Sequence, residues 1–481
     1  MKIDQLLREQ ILKRLSFDNP WWLTGEISED YKKMKHRPYT DVFYPLVTDH
    51  SVRRAVILMG PRRVGKTVML YHCIDRLLKS GIDRQKIIYL SIDTPIYNNI
   101  SLEDLFALAR ESLKQSDNYD GFYVFYDEIQ YLKNWENHLK SLVDSYRNVR
   151  FVASGSAAAT LKMKSNESGA GRFTDFMLPP LTFYEYLHLQ DFDKLIVKSK
   201  DGHPAPYDTI NIDDLNKLFI SYINFGGYPE VVFSETIKAN PGQYIRHDII
   251  DKVLLRDLPS LYGIADTQEL NKLFVYIAYR SGAEFSYERI SQDSGIRKDL
   301  LRKYIEYLEA AFLIKVIYKT DQNAKKMQRV NAFKIYLTNP SLRCALFSPI
   351  DESDETIGNM VETAIYAQWF QGGDHNIFYS NWAVGKDRGE VDIVWVDPKI
   401  QKPFSVAEIK WSDRYFDSPG ELKSLLHFLD INPIRKALVT SKTKAGTFDN
   451  SKCKLQFVPA AIYAYWVSFY LYSQEKTELI G

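Results

Sequence analysis

Residues Gly60 to Thr67 read Gly-Pro-Arg-Arg-Val-Gly-Lys-Thr, a loop of the form G-x-x-x-x-G-K-[ST]. A short apolar run, Ala55 to Met59, leads into it, and a helical pattern, Val68 to Leu78, leads out. This placement constrains the fold more than any other feature. An apolar run of that length reads as a strand buried on both faces, the kind found in parallel sheets flanked by helices. The glycines let the backbone curl until successive N–H groups point at phosphate oxygens. The start of the next helix adds partial positive charge at the same place. Gly60, Pro61, Arg62, Arg63, Val64 and Gly65 are therefore expected to cradle nucleotide phosphates. Lys66 would meet the β- and γ-phosphates, and the Thr67 hydroxyl would ligate Mg2+.

The chain then alternates. Strand-like runs at Ile87–Ile92, Phe122–Tyr126 and Arg150–Ala153 are separated by helical patterns at Leu102–Leu113 and Trp135–Tyr146. Alternation of this kind predicts an α/β fold with a doubly wound parallel sheet. The third run places Asp127 and Glu128 at a strand's carboxyl edge, where ligands bind in open α/β sheets. Asp127 is expected to help hold Mg2+, and Glu128 to orient or deprotonate the attacking water. The fourth run ends in Ser154-Gly155-Ser156. Ser154 is the first choice for a group that senses the γ-phosphate, Ser156 the second, and a plain Ser/Gly turn fits the same residues. Arg172 follows in the Gly-rich segment Gly169–Phe173. Its guanidinium suits the charge that develops on a transferred phosphoryl group, supplied to a neighbouring subunit of a homo-oligomer. A surface arginine in a loop fits as well.

Composition excludes several classes. The 481 residues are 45% hydrophobic and 26% charged, with 62 Lys and Arg against 61 Asp and Glu. That rules out a disordered or fibrous chain and any global basic excess. Three widely spaced cysteines give neither a disulfide framework nor a metal spacing, as expected in a reducing, cytoplasmic setting. No signal-peptide pattern opens the chain. The most apolar stretch, Phe457 to Tyr472, is too short for a membrane span and reads as core.

Several motifs together carry a resemblance. Gly60–Thr67, Asp127-Glu128-Ile129-Gln130 with Trp135 after it, Ser154-Gly155-Ser156 and Gly171-Arg172 resemble a prokaryotic AAA+ family of ATP-binding proteins with an uncharacterised C-terminal domain. Gly226-Gly227-Tyr228-Pro229 resembles that family's lid segment, and Lys334-Ile335-Tyr336-Leu337-Thr338 resembles the strand that opens its C-terminal domain. The likeness runs from about Arg53 to Phe457. It implies ATP as ligand, Mg2+ as cofactor and ATP hydrolysis as the activity. The expected organisation is a leader over 1–50, a P-loop AAA+ core over 51–180 and a helical lid over 181–265.

Residues 266–345 read as a winged helix. A short helix over Ser286–Ser294, a Gly295-Ile296 turn and a longer helix over Arg297–Phe312 precede two strand-like runs, Ile314–Tyr318 and Ala332–Leu337. The basic loop Lys325–Arg329 joins those runs. Residues 268–345 hold 14 Lys and Arg against 8 Asp and Glu. Arg297, Lys298, Arg302 and Lys303 are candidates for DNA contact, although such a module also serves protein contacts.

Residues 346–481 read as a further α/β domain. Gly389–Val396 and Ser405–Trp411 form a strand pair, with Asp392 on one strand and Glu408 and Lys410 on one face of the other. Glu362 sits on an upstream helix. This set looks like the PD-(D/E)XK nuclease fold. Asp392, Glu408 and Glu362 would then hold a second Mg2+ or Mn2+, and Lys410 would hold or activate water beside Glu408. The expected function is an ATPase coupled to nucleic-acid processing, with nuclease activity, in defence or mobile-element biology. The alternative is a regulatory ATPase whose winged helix and inactive nuclease-like domain are binding modules.

Overall fold

The structure, a computed structural model, describes residues 5–115, 119–156, 171–320, 332–370, 376–384, 387–449 and 453–473, with the backbone alone at 383, 384 and 387. The chain divides into two compact units, Met1–Pro179 and Pro180–Gly481.

The first unit is built on a five-stranded parallel sheet. Its strands are β1 (Ala55–Gly60), β2 (Ile87–Ser91), β3 (Tyr123–Asp127), β4 (Arg150–Ser156) and β5 (Phe173–Met177), in the spatial order β2-β3-β4-β1-β5. Every pairing is parallel. β1, β3 and β4 are buried along their whole length, as their apolar runs require. Two features depart from expectation. β4 continues through Ser156 instead of turning after Ala153, because Leu58 and Gly60 of β1 pair with Ser154 and Ser156. β5 has no counterpart in the sequence reading: Phe-Thr-Asp-Phe-Met is only partly buried and lies at the sheet's edge.

The leader is helical: α1 (Gln5–Asp18), α2 (Trp21–Thr24), α3 (Glu29–Lys32) and α4 (Tyr39–Thr48). Helix α5 (Lys66–Lys79) follows the phosphate loop. Helices α6 (Leu102–Ser112) and α7 (Trp135–Ser145) fill the next two crossovers. Ser101 caps α6 by accepting the Asp104 N–H, which ends the preceding loop cleanly.

The second unit opens with helices, among them Phe183–Leu189 and Ile212–Phe225. A small hairpin, β6 (Ile196–Lys198) and β7 (Tyr207–Thr209), forms in the polar loop between them. A nine-stranded sheet follows. Its strands are β8 (Glu284–Phe285), β9 (Ile314–Thr320), β10 (Phe333–Leu337), β11 (Ile377–Val384), β12 (Asp387–Val396), β13 (Pro403–Glu408), β14 (Lys436–Ser441), β15 (Gly446–Asp449) and β16 (Lys454–Pro459). Their order is β15-β16-β14-β13-β12-β11-β9-β10-β8. β9 pairs with β11 through Tyr379↔Lys319 and Ser380↔Thr320, so one sheet runs across residue 346. Helices Ile357–Trp369 and Ala460–Ser473 pack into its aromatic core. The apolar stretch 457–472 is thus the end of β16 plus a buried helix, and no described helix is long and apolar enough to cross a membrane.

Candidate active site and C-terminal acid cluster

The phosphate loop joins the carboxyl end of β1 to α5. Arg63 and Gly65 take φ of +63° and +92°, the left-handed backbone that turns N–H groups toward one centre. Gly60 has a steric role: a Cβ there would lie 2.3 Å from the Leu178 carbonyl oxygen. Lys66, buried, donates to the carbonyls of Gly60 (3.0 Å) and Pro61 (2.9 Å), so its ammonium lies over the loop.

Asp127 and Glu128 sit at the carboxyl end of β3, with β4 between that strand and β1. The buried Asp127 carboxylate is held by neutral donors. Its Oδ2 accepts from the hydroxyls of Thr67 (2.7 Å) and Tyr89 (2.7 Å). Its Oδ1 accepts from the Ser154 hydroxyl and from the Glu128 N–H (3.1 Å). The oxygens of Thr67 and Asp127 are hard donors of the kind Mg2+ takes. Glu128 has φ +53°, a strained position of the sort that gathers at functional sites. Burial pushes its carboxyl up, against the pull of Lys66. Gln130 donates to Glu128 Oε2 and accepts the Ser156 N–H at 3.2 Å, which ties Glu128 to β4.

The two serines differ. Ser154 is spent on Asp127. Ser156 pairs across from Gly60, and its hydroxyl is buried with no hydrogen-bond partner among the described residues. Arg172 stands just ahead of β5, not in an open loop: its carbonyl accepts the Ala55 N–H at 2.9 Å, and its Nε meets Asp144 at 2.5 Å. It is therefore at the amino end of β1, about 17 Å of strand from its own phosphate loop at ~3.3 Å per residue. Gly169 and Ala170 lie outside the described residues. Tyr89 and the leader's Arg37, both brought in by long-range contact, leave no signal in the sequence, and Gln130 stood there in a motif without a role of its own.

In the second unit, helix Lys298–Ala310 buries Leu301, Tyr304, Ile305 and Leu308. Arg297, Lys298, Arg302 and Lys303 are exposed. Lys298 pairs with Glu288 at 3.0 Å, and Arg302 lies over the Tyr287 ring. The basic loop 325–329 lies outside the described residues.

Asp392, Glu408 and Lys410 do come together. Lys410 Nζ is 2.7 Å from Glu408 and 3.6 Å from Asp392, and Asp392 Oδ2 accepts the Ile409 N–H at 2.7 Å. The route differs from expectation. β13 ends at Glu408, so Lys410 is off the strand; the Thr440 hydroxyl takes its N–H (2.6 Å) and donates to its carbonyl (2.8 Å). Burial first, then Asp392, pushes the Glu408 carboxyl up to about 8. Glu408 Oε2 is buried without a partner among the described residues.

Glu362 is held by side chains of β10 and feels the charge of Asp392. Its Oε1 accepts from Tyr336 and lies 3.1 Å from the ammonium of Lys334, which also meets Glu390 at 2.6 Å. Lys334 is 3% exposed. A buried carboxylate needs a charged or donor partner, and β10 supplies both. Among the described residues no group of three or more His, Cys, Asp or Glu is placed to hold a metal ion. Lys334 and Glu390 went unassigned in the sequence because their roles arise only when β10 packs beside that helix.

Comparison with known proteins gives the site its class. Residues 52–187 match a family described as an AAA domain, and residues 216–354 match a domain of unknown function. An uncharacterised protein of Haemophilus influenzae is 26% identical over 393 residues, covering 80% of this chain and 88% of its own. Two uncharacterised proteins of Methanocaldococcus jannaschii are 25% and 24% identical, covering 70% and 79% of this chain and 71% and 81% of theirs. Among solved structures, the Aeropyrum pernix ORC1 protein in complex with DNA matches 70% of this chain and 91% of its own, at 12% identity and a TM-score of 0.30. The Caenorhabditis elegans PCH-2 structure matches 49% and 63%, at 14% identity and a TM-score of 0.27. The first unit is an α/β P-loop fold, and the protein is an ATPase.

Proposed function

We propose that this ATPase acts on DNA as a homo-oligomer and couples hydrolysis to nucleic-acid processing. The observation that carries the reading is helix Lys298–Ala310, with four basic residues exposed at its start and along it and an apolar face buried behind them. The order of helix Thr267–Tyr279, β8, the helix pair and the antiparallel β9–β10 supports the winged-helix reading. Basic side chains on its second helix suit phosphate contact. The test is filter binding of a duplex over a salt series, with ATP turnover read beside it. Binding that falls steeply with salt and raises turnover is expected; no binding at low salt refutes the reading.

In the ATP site, Lys66 meets the transferred phosphates and Glu128 positions and deprotonates water. Thr67 and Asp127 would hold Mg2+, which neutralises phosphate charge when bound. Ser156, whose hydroxyl has no partner among the described residues, takes the γ-phosphate role in place of Ser154. Arg172 serves the pocket of a neighbouring copy, since its own loop is at the other end of β1.

For the second unit we read a PD-(D/E)XK-like fold. Two readings of its use each have an observation. The Glu408 Oε2 beside Asp392, without a partner among the described residues, fits a divalent cation, which favours metal-dependent cleavage. Lys334 on Glu362 favours an inert binding module. Incubation with plasmid and RNA in Mg2+ or Mn2+ separates them: cutting that is abolished in Asp392→Ala supports cleavage, and no cutting supports the module.

A further inference from the structure

The sheet of the first unit has an edge at β2, and an edge strand exposes N–H and C=O groups that need partners. The leader supplies them with side chains. The Asn19 amide accepts the Tyr89 N–H at 2.6 Å and donates to the Tyr89 carbonyl at 2.9 Å, as one residue of a further strand would. Trp21 and Trp22 both donate their indole N–H to the Ile87 carbonyl, at 2.9 and 2.8 Å. Asn19 and Trp21 are fully buried.

Tyr89, held in this way, points its hydroxyl at Asp127 Oδ2. Its ring packs on Tyr71, and Tyr71 stacks on Tyr31 of α3 with centroids 3.9 Å apart. A second arm leaves the leader at Arg37. Its buried guanidinium donates through Nη1 to the carbonyl of Val64, inside the phosphate loop, at 2.8 Å, and to that of Pro179 at 2.9 Å.

We infer that the leader is a positioning element of the ATP site, acting through Asn19 and Tyr89 on the Asp127 carboxylate and through Arg37 on the phosphate loop. The physical case is one of fixed direction. Asp127 is useful to Mg2+ only while its oxygens keep their aim at the Thr67 side, and the Tyr89 hydroxyl is one of two donors that fix Oδ2. Val64 is two residues from Lys66, so a clamp on its carbonyl fixes the curl of the loop whose N–H groups must converge. The two arms make separable demands: one concerns the metal, the other the phosphates.

The test uses the full chain and four variants. Tyr89→Phe keeps the ring and removes one O–H. Binding of ADP is measured by fluorescence or calorimetry, first in EDTA and then over a Mg2+ series, with thermal unfolding in parallel. Removing a hydrogen bond to a charged acceptor corresponds to about a tenfold change. Tyr89→Phe should therefore leave ADP affinity in EDTA unchanged and raise the Mg2+ concentration for half-maximal stabilisation by ~10-fold. Asn19→Ala should move the same quantity in the same direction. Arg37→Met should weaken ADP binding in EDTA, and Arg37→Lys should restore little, since one ammonium cannot reproduce the planar donor. An unchanged Mg2+ requirement in Tyr89→Phe overturns the acid arm. A shift in Tyr89→Phe without one in Asn19→Ala removes the leader from it. Wild-type ADP affinity in a folded Arg37→Met overturns the loop arm.

Discussion

The two acid sites solve the same problem differently. In the first unit Asp127 is held by neutral donors, namely two hydroxyls on Oδ2 and a hydroxyl and an N–H on Oδ1. In the second unit Glu362, Glu390, Asp392 and Glu408 are met by the ammonium groups of Lys334 and Lys410. Neutral donors fix a carboxylate's direction and leave its charge for a cation from solution. Lysines at 2.6–3.1 Å offset part of that charge from within the chain. A divalent ion therefore meets no built-in competitor among Asp127's hydrogen-bond donors, while at the second site it must displace or share with one. Burial sharpens the contrast, because unbalanced charge is penalised most where water is excluded.

The largest effects should fall on the first site. Glu128→Gln keeps the cradle and removes the base, so nucleotide binding should persist while turnover falls by ~10²–10⁴-fold. Lys66→Ala should instead weaken nucleotide binding. Equal turnover in Glu128→Gln and wild type would break the comparison at its root, since the first site would then owe nothing to its acid pair. Mixing is the next test. Arg172→Ala and Lys66→Ala subunits, each inactive alone, should regain part of their turnover when combined, because a hybrid interface joins an intact pocket to an intact arginine. Co-assembly without rescue would assign Arg172 to its pairing with Asp144 alone.

Much of the first site was legible because its parts are local. Gly60–Thr67 is one turn with its strand and helix attached, and Asp127-Glu128 follows directly on an apolar run. What holds those parts was not legible. Tyr89 is 38 residues from Asp127 along the chain, and Arg37 is 27 from Val64. Asn19 is an ordinary residue until β2 needs an edge partner 70 positions on. The half-buried β5 carries too few apolar residues to announce itself. The same limit explains the second unit. Asp392, Glu408 and Lys410 could be gathered from a strand pair. Lys334 reads as one basic residue among many until β10 lies beside helix Ile357–Trp369. The β9–β11 pairing has the same cause: a two-residue parallel bridge leaves no pattern in either strand.

A smaller effect concerns the basic helix. Reversing charge at Arg297, Lys298 and Lys303 should weaken duplex binding by a similar factor for all sequences. The salt slope should flatten by about one unit for each phosphate no longer neutralised. A wild-type slope in the folded triple variant would move any DNA surface away from this helix. That outcome would leave the second unit with no demonstrated charge reserved for an outside partner, and so would extend the comparison to the whole unit.

The smallest effect tests the internal counter-ions directly, through stability against pH without metal. The Glu408 carboxyl is raised to about 8 by burial and by Asp392, from an ordinary value near 4.5. A carboxyl raised in the fold is preferred there in its protonated form. Its contribution to stability is therefore fully present below the ordinary value and is lost as pH rises through about 8. Gln at this position stays neutral at every pH and keeps an oxygen for Lys410. Wild type and Glu408→Gln should accordingly unfold at similar temperatures at acid pH. At alkaline pH the variant should become the more stable of the two, by a few degrees in the transition of the second unit. Added Mn2+ should narrow the gap by stabilising the wild type if the Glu408 and Asp392 oxygens take the ion. A gap that does not widen with pH would mean that Lys410 balances Glu408 completely, and the second site would then be as settled in its charge as the first is open.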